Sequence, residues 1–141
     1  MTLYAESSAV LAWLLGEPAG ERVRRALAEA ELVVASDLTL VECDRMLIRA
    51  RTSGDLSESA DADLRARLNA ASLHWNLLRV DSQVVERARR PVPGEPIRTL
   101  DALHLASAVV ARAAVAGLAL LSLDSRIRAA GAQLGLSVRP A

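Results

Sequence analysis

Several residue types are scarce or missing from this sequence, and their absence excludes some classes of protein. All 17 basic residues are arginine, while lysine and phenylalanine do not occur. A chain without lysine cannot be a P-loop enzyme or a receiver domain, because both use a lysine beside a phosphate. There is also no Gly-x-Ser-x-Gly segment, which argues against an α/β-hydrolase nucleophile.

Cysteine is scarce as well. The single cysteine, Cys43, cannot form an intramolecular disulfide, and the sequence shows no zinc-ligand pattern. These features are typical of a protein from a reducing compartment. The first arginine is Arg22, so no basic segment precedes the early apolar run as it would in a signal peptide, and we expect a cytoplasmic protein.

The sequence also lacks an uninterrupted apolar run of membrane-spanning length and an excess of charge of either sign. Residues 105–123 are long enough to span a membrane, but Arg112 lies near their centre, at a cost of about 3 kcal/mol, and Gly117 interrupts them. We therefore predict no membrane segment. The formal net charge of zero argues against a tight non-specific DNA binder. With 2% aromatic residues, base stacking cannot dominate RNA recognition.

Strand-like and helical segments alternate along the chain. Short apolar runs predict strands at residues 2–5, 32–35, 76–80, 118–123 and 136–139. Helices are predicted at residues 9–15, around 23–30, and at 36–51, 55–73, 82–90, 99–116 and 125–134. Ser7 or Ser8 is the predicted cap of the first helix, and Thr99 of the sixth. The order predicts one α/β domain, residues 1–141, with a mainly parallel sheet of four to five strands and helices on both faces.

Four acidic residues lie where the chain passes from one element to the next. Glu6 follows the first strand and Asp124 follows the fourth. Asp101 lies in the first turn of the sixth helix, and Glu42 lies one turn into the helix that follows the second strand. Ligands of parallel α/β sheets bind beyond the carboxyl ends of the strands, where the strand order reverses. All four acids can reach that end of the sheet.

Each acid also has an ordinary structural interpretation. Glu6 could be an exposed turn residue, Asp124 a helix N-cap, and Asp101 a charge that favours the helix dipole. Glu42 could pair with Arg45 on its own helix. If the acids converge, however, their mutual repulsion requires either protonation or a cation. Because the available ligands are oxygens, the cation would be Mg²⁺ or Mn²⁺.

Four segments carry a resemblance to a known family. In chain order they are Tyr4-Ala-Glu-Ser-Ser-Ala9 with Leu14-Leu-Gly-Glu-Pro18, then Leu38-Thr-Leu-Val-Glu42, then Thr99-Leu-Asp-Ala-Leu-His-Leu-Ala106, then Leu121-Ser-Leu-Asp124. With these segments the chain resembles the PIN-domain family, and within it the VapC-type toxin ribonucleases of bacterial toxin–antitoxin pairs. The resemblance covers nearly the whole chain, and its third segment is the most family-specific.

The resemblance implies a PIN-like three-layer fold and a metal-dependent endoribonuclease. Such enzymes use Mg²⁺ or Mn²⁺, commonly form homodimers, and are held inactive by a cognate antitoxin. The implied catalytic and metal-binding acids are Glu6, Glu42, Asp101 and Asp124, with Ser8 and Ser122 as supporting hydroxyls.

The family usually has Asp where this chain has Glu6. The added methylene lengthens the side chain and adds a rotamer that binding must order, so metal geometry or affinity could change. This departure leaves a second interpretation open. In it, the protein is a PIN-fold module that binds RNA or protein and has weak or no nuclease activity.

Three arginines and one histidine near the acids also have two interpretations each. Arg45 and Arg49 lie on the same side of their helix as Glu42 and, together with Arg98, are candidates for contact with RNA or an antitoxin. A solvated charged face is equally consistent with their pattern. His104 could act as a general base, although its place in an apolar helix favours a hydrogen-bonded structural imidazole.

Overall fold

The computed structural model describes residues 1–141, which form five strands and seven helices. The first half of the chain forms β1 (Thr2–Ala5), α1 (Ser7–Leu14), α2 (Gly20–Glu29), β2 (Leu32–Ser36), α3 (Asp37–Thr52) and α4 (Glu58–Ser72). The second half forms β3 (Asn76–Leu78), α5 (Ser82–Ala88), α6 (Thr99–Ala114), β4 (Ala119–Leu121), α7 (Ser125–Gln133) and β5 (Ser137–Arg139).

The five strands form one sheet in the order β3-β2-β1-β4-β5, and every neighbouring pair is parallel. From β1 at the centre, the chain builds outward through β2 and β3, and then returns to the other side of β1 for β4 and β5. The strand order therefore reverses between β1 and β4. The predicted α/β class with a parallel sheet is confirmed.

Helices cover both faces of the sheet because successive strand residues point to opposite sides. Leu3 and Ala5 of β1 lie in one apolar cluster with residues from α1, α2, α3 and α4. Tyr4, between them, lies in a second cluster with residues from α6 and α7. The core is mainly aliphatic, and Trp13 and Trp75 pack at the margin of the first cluster.

The N-caps of two helices differ from the sequence-based prediction. The N-cap of α1 is Glu6, not Ser7 or Ser8, and its side chain accepts a hydrogen bond from the Ser8 amide at 3.1 Å. A carboxylate is a strong acceptor, and its charge is favoured at a helix N-terminus. The N-cap of α6 is Arg98, which makes no side-chain capping bond, so Thr99 is the first helical residue rather than the cap.

The apolar run of residues 105–123 is divided as predicted. Helix α6 ends before Gly117, whose φ of 78° lies in the left-handed region that glycine adopts readily, and β4 follows two residues later. None of the helices combines the length and the apolar composition needed to cross a membrane. Strand β4 is shorter than predicted at both ends, because it begins at Ala119 and ends at Leu121, although the Ser122 amide still donates to the carbonyl oxygen of Arg139 at 3.1 Å.

Candidate active site

The candidate site lies at the carboxyl ends of β1 and β4, where the strand order reverses. Glu6 follows β1 directly, and its amide donates to the carbonyl oxygen of Leu121 at the end of β4. The hydroxyl of Ser8 joins the two chain segments, because it accepts hydrogen bonds from the amides of Leu123 at 3.0 Å and Asp124 at 3.2 Å. This contact fixes Asp124 beside the start of α1.

Glu6 is enclosed by donors. Its side chain is 3% exposed, and both carboxylate oxygens accept hydrogen bonds. Oε1 accepts from the hydroxyl of Ser7 at 2.9 Å and from the amide of Ser8, while Oε2 accepts from the hydroxyls of Ser8 and, at 2.8 Å, Ser122. We call the three hydroxyls of Ser7, Ser8 and Ser122 the serine cradle. The predicted supporting positions of Ser8 and Ser122 are next to Glu6.

Glu42 projects from α3 towards the same junction, and it does not form the pair with Arg45 that was the structural alternative to a site role. Its Oε1 contacts the Nε2 atom of His104 and accepts from the hydroxyl of Ser7 at 3.2 Å. Ser7 therefore bridges Glu42 and Glu6, a role that the sequence did not reveal. The Glu42 side chain is 27% exposed, so its other end reaches the surface.

His104 is buried beneath Glu42 with both ring nitrogens in contact with protein atoms. The ring is 1% exposed, and its Nδ1 atom lies 2.9 Å from the hydroxyl of Tyr4. Burial, followed by the charges of Glu6 and Glu42, raises the pKa of Tyr4 well above its usual value, so the hydroxyl keeps its proton. This setting is that of a hydrogen-bonded structural imidazole, the favoured sequence-based interpretation.

Asp101 and Asp124 present a different environment. Asp101 is half-buried at the start of α6 and takes part in none of the ion pairs of the structure. Burial and the neighbouring charges of Asp124 and Glu6 raise its pKa, against a smaller opposing effect of Arg98. Asp124 caps α7 with Oδ1 alone, which accepts from the amides of residues 126 and 127.

The four predicted acids therefore gather at one end of the sheet, but they do not form a closed group of three ligands around one point. Glu6 is turned into the serine cradle, and Glu42 has one oxygen on His104. The oxygens without protein donors belong to Asp101, Asp124 and Glu42. This oxygen donor set fits Mg²⁺ or Mn²⁺, since Mg²⁺ is commonly bound by one or two carboxylates and retains several waters.

A shallow cleft of about 420 Å³ adjoins Glu42 and carries the three predicted arginines. Arg45 and Arg49 of α3 line one side and Arg98 the other, and all three are exposed. Exposed Val41 and Leu100 lie between these charges. The cleft thus combines positive charge with apolar surface at the edge of the acidic cluster.

The all-parallel sheet, with acids beyond the ends of β1 and β4, is typical of an α/β protein that binds its ligand at the carboxyl ends of the strands. Comparison with known families shows which family this is. Residues 3–133 match the PIN domain, so the chain belongs to the PIN-domain family. It is also 37% identical over 136 residues to ribonuclease VapC46 of Mycobacterium tuberculosis, a match that covers 96% of this chain and 95% of the relative. The family predicted from the four sequence segments is confirmed.

Solved structures show the same fold. VapC20 of Mycobacterium tuberculosis, described as a toxin that cleaves the sarcin–ricin loop, matches with a TM-score of 0.63 and 19% identity, over 92% of this chain and 95% of its own. A toxin–antitoxin complex from Klebsiella pneumoniae matches with a TM-score of 0.60 and 18% identity, over 89% and 88%. At these identities the two structures support the fold.

Proposed function

We propose that this protein is a metal-dependent endoribonuclease and the toxin of a VapBC-type toxin–antitoxin pair, with residues 1–141 acting as a single nuclease domain. The observation that carries the proposal is the placement of Asp101 near the charges of Asp124 and Glu6 in a PIN fold, where burial and then these two charges raise the pKa of Asp101. A divalent cation would relieve this repulsion. The identity to a relative named as a ribonuclease supports RNA as the substrate.

In the proposed reaction, the protein positions a cation and the RNA backbone. Asp101, Asp124 and the free oxygen of Glu42 are the ligands, while Glu6 keeps the segments that carry them in register through the serine cradle. When bound, Mg²⁺ or Mn²⁺ polarises the phosphodiester, supplies a nucleophile from water and stabilises the leaving oxygen. Arg45, Arg49 and Arg98 bind the phosphates that flank the scissile bond.

The cleft beside Glu42 also fits the proposed antitoxin, whose carboxylates would pair with the same arginines while apolar side chains cover Val41 and Leu100. Antitoxin and RNA would then compete for one surface, and the complex would be inactive. We further propose that the protein forms a homodimer and acts in the cytoplasm. A short reading frame immediately upstream, encoding a DNA-binding segment and a charged tail, is the expected genetic arrangement.

The direct test is cleavage of structured RNA by purified protein separated from its antitoxin. We expect cleavage in Mg²⁺ or Mn²⁺, none after chelation, and recovery when the metal is restored. Re-addition of the antitoxin should inhibit the protein at a stoichiometric ratio. Cleavage that persists in excess chelator would contradict the metal-dependent mechanism and would suggest a contaminating nuclease.

A second candidate function follows from the position of Glu6, whose oxygens are both occupied by protein donors. A protein with this arrangement could bind RNA or protein without cleaving RNA. Glu6→Asp separates the two functions, because aspartate is also a good N-cap but is too short to occupy the whole serine cradle. We expect cleavage to rise about 10-fold as one more carboxylate oxygen becomes available to the cation. Metal-independent RNA binding without cleavage in either form would support the binding module.

A further inference from the structure

His104 and Tyr4 form a buried hydrogen-bonded chain that ends on a proposed metal ligand. The hydroxyl of Tyr4, in the central strand β1, lies 2.9 Å from Nδ1 of His104, and Nε2 of His104 contacts Oε1 of Glu42. The three residues come from β1, α6 and α3. The chain therefore links the middle of the sheet to the side chain of Glu42.

The chemistry of these groups assigns the protons. A carboxylate accepts hydrogen bonds but cannot donate them, so the Nε2 atom of His104 carries the proton directed at Glu42. In the neutral ring, Nδ1 is then an acceptor, and it faces the hydroxyl of Tyr4. The Glu42 carboxylate thus selects the tautomer of His104, and the Tyr4 hydroxyl supports it by donating to the other ring nitrogen.

The hydrogen bonds between Tyr4, His104 and Glu42 run from the buried core to the partly exposed Glu42 side chain. His104 is 1% exposed, whereas the Glu42 side chain is 27% exposed and lines the cleft, so the bonded oxygen of Glu42 faces the buried ring and the other oxygen has no protein donor. Glutamate has three rotatable side-chain bonds, and a ligand that must be ordered at the moment of binding loses affinity. A carboxylate whose inner oxygen is already held presents its outer oxygen in a fixed position.

We propose that His104, aligned by Tyr4, is a positioning residue that holds the Glu42 carboxylate ready for a divalent cation. This inference rests on the proposed function, because it assigns a role towards the same metal. His104 does not touch RNA or the reacting atoms, so it is not a catalytic residue. A purely structural imidazole would contribute to folding alone and would leave the metal affinity of the folded protein unchanged.

The experiment measures Mn²⁺ affinity by calorimetry on protein separated from its antitoxin, together with the unfolding midpoint. His104→Leu removes the N–H donor while keeping an apolar side chain of similar volume, and we expect Mn²⁺ binding about 10- to 100-fold weaker than in the wild type. His104→Gln places an amide N–H near the position of Nε2, so it should recover most of this loss. Saturating Mn²⁺ should restore part of the cleavage rate of His104→Leu.

A core truncation outside the Tyr4–His104–Glu42 hydrogen bonds provides the matched control. Leu68 of α4 is buried in the other apolar cluster, and Leu68→Ala should lower the unfolding midpoint without changing Mn²⁺ affinity. Unchanged affinity in folded His104→Leu, or no recovery in His104→Gln, would overturn the inference. If the wild type bound no Mn²⁺, the proposed function would fail first, and the inference with it.

Tyr4→Phe removes one hydrogen bond of the Tyr4–His104–Glu42 series without altering His104. If His104→Leu does not fold, the Mn²⁺ affinity of Tyr4→Phe is measured in its place. Loss of the hydroxyl should weaken Mn²⁺ binding several-fold, because Nδ1 loses its hydrogen-bond partner and the imidazole ring is held less firmly against Glu42. In the His104→Gln background, the same change should have a smaller effect, since the two residues act through one hydrogen bond. A Tyr4→Phe protein with wild-type affinity, or an equal effect in both backgrounds, would contradict the proposed role.

Discussion

Glu6 and Asp101 are both acids at the carboxyl end of the sheet, but the protein surrounds them differently. Glu6 is 3% exposed and receives hydrogen bonds on both oxygens from the serine cradle and the start of α1. Asp101 is half-buried, lies in no ion pair, and faces the charges of Asp124 and Glu6. The Glu6 carboxylate has its hydrogen-bond partners within the protein, while the Asp101 carboxylate lies near other negative charges without a hydrogen-bond donor.

This difference separates two uses of a carboxylate at the same end of the sheet. An acid saturated with protein donors stabilises the fold and joins chain segments, whereas an acid held near like charges gains most from a cation. The comparison therefore assigns Glu6 mainly to holding β1 against β4, and Asp101 to binding. Substitutions that disturb Glu6 should therefore lower mainly the stability, whereas substitutions of Asp101 should lower mainly the activity.

The largest effect is expected from Asp101→Asn, which preserves the size of the side chain and removes its charge. We expect RNA cleavage in Mn²⁺ to fall about 1,000-fold, equivalent to about 4 kcal/mol of transition-state stabilisation. Single-turnover cleavage measures this loss. Asp63→Asn makes the same change at an exposed position of α4 and should leave cleavage unaltered. Full activity of Asp101→Asn would remove Asp101 from the site.

The same variant should be more stable than the wild type when no metal is present. Burial and the neighbouring acids raise the pKa of Asp101, so the folded protein holds this proton more tightly than the unfolded chain does. The resulting stability is fully present below the unfolded-state pKa and is lost as the pH rises through the raised value. The unfolding midpoint of Asp101→Asn should thus exceed that of the wild type at pH 7, and the difference should shrink in acid.

A smaller effect, on stability, is expected from Ser122→Ala in the serine cradle. Ser122 is fully buried, and its hydroxyl donates to Oε2 of Glu6 at 2.8 Å. Removing one donor from a buried carboxylate should lower the free energy of unfolding by about 1–2 kcal/mol, measured by urea denaturation. Ser72→Ala, at an exposed hydroxyl that bonds the carbonyl oxygen of Asn69, should change it by less than about 0.5 kcal/mol. Equal values for the two variants would show that the cradle does not support Glu6.

The smallest effect is expected at Glu21, an acid held by an arginine in water. The hydrogen bond from Arg24 lowers the pKa of Glu21 to about 2, so any stability that the pair contributes is present above the usual value of 4.5 and is lost as the pH falls towards 2. Because the pair is fully exposed, solvent screens it. The unfolding midpoint of Glu21→Gln at pH 7 should match that of the wild type. A clear decrease of the unfolding midpoint would mean that exposed acids contribute as much to the stability of this protein as buried ones do.

Much of the fold followed from the sequence because its causes are local. Alternation of apolar runs with helical stripes located all five strands, and the parallel arrangement followed from their separation by helices. The lengths were less accurate. Residues 118–123 are uniformly apolar or small, so nothing local shows that the strand ends at Leu121 or that the Ser122 side chain contacts Glu6 and Ser8.

The acids were also found from the sequence, by their places at the ends of elements and by the PIN-like segments, and their role as metal ligands stays a prediction. Their hydrogen bonding could not be predicted, because it depends on side-chain rotamers and on contacts between distant residues. Tyr4 and His104 are 100 residues apart in the chain, and Tyr4 appeared in the sequence only as the first residue of a PIN-like segment. Ser7 likewise lacked any feature that marked it as the bridge between Glu6 and Glu42.

The hydrogen bond between the Asp124 amide and the Ser8 hydroxyl spans 116 residues of sequence. During synthesis, Glu6 and Ser8 leave the ribosome early, but Ser122 and Asp124 follow only after most of the sheet has been made. A nascent chain that stops before β4 has no partner strand on that side of β1 and lacks one of the proposed ligands. This order of assembly delays completion of the proposed site until β4 and the start of α7 have been made.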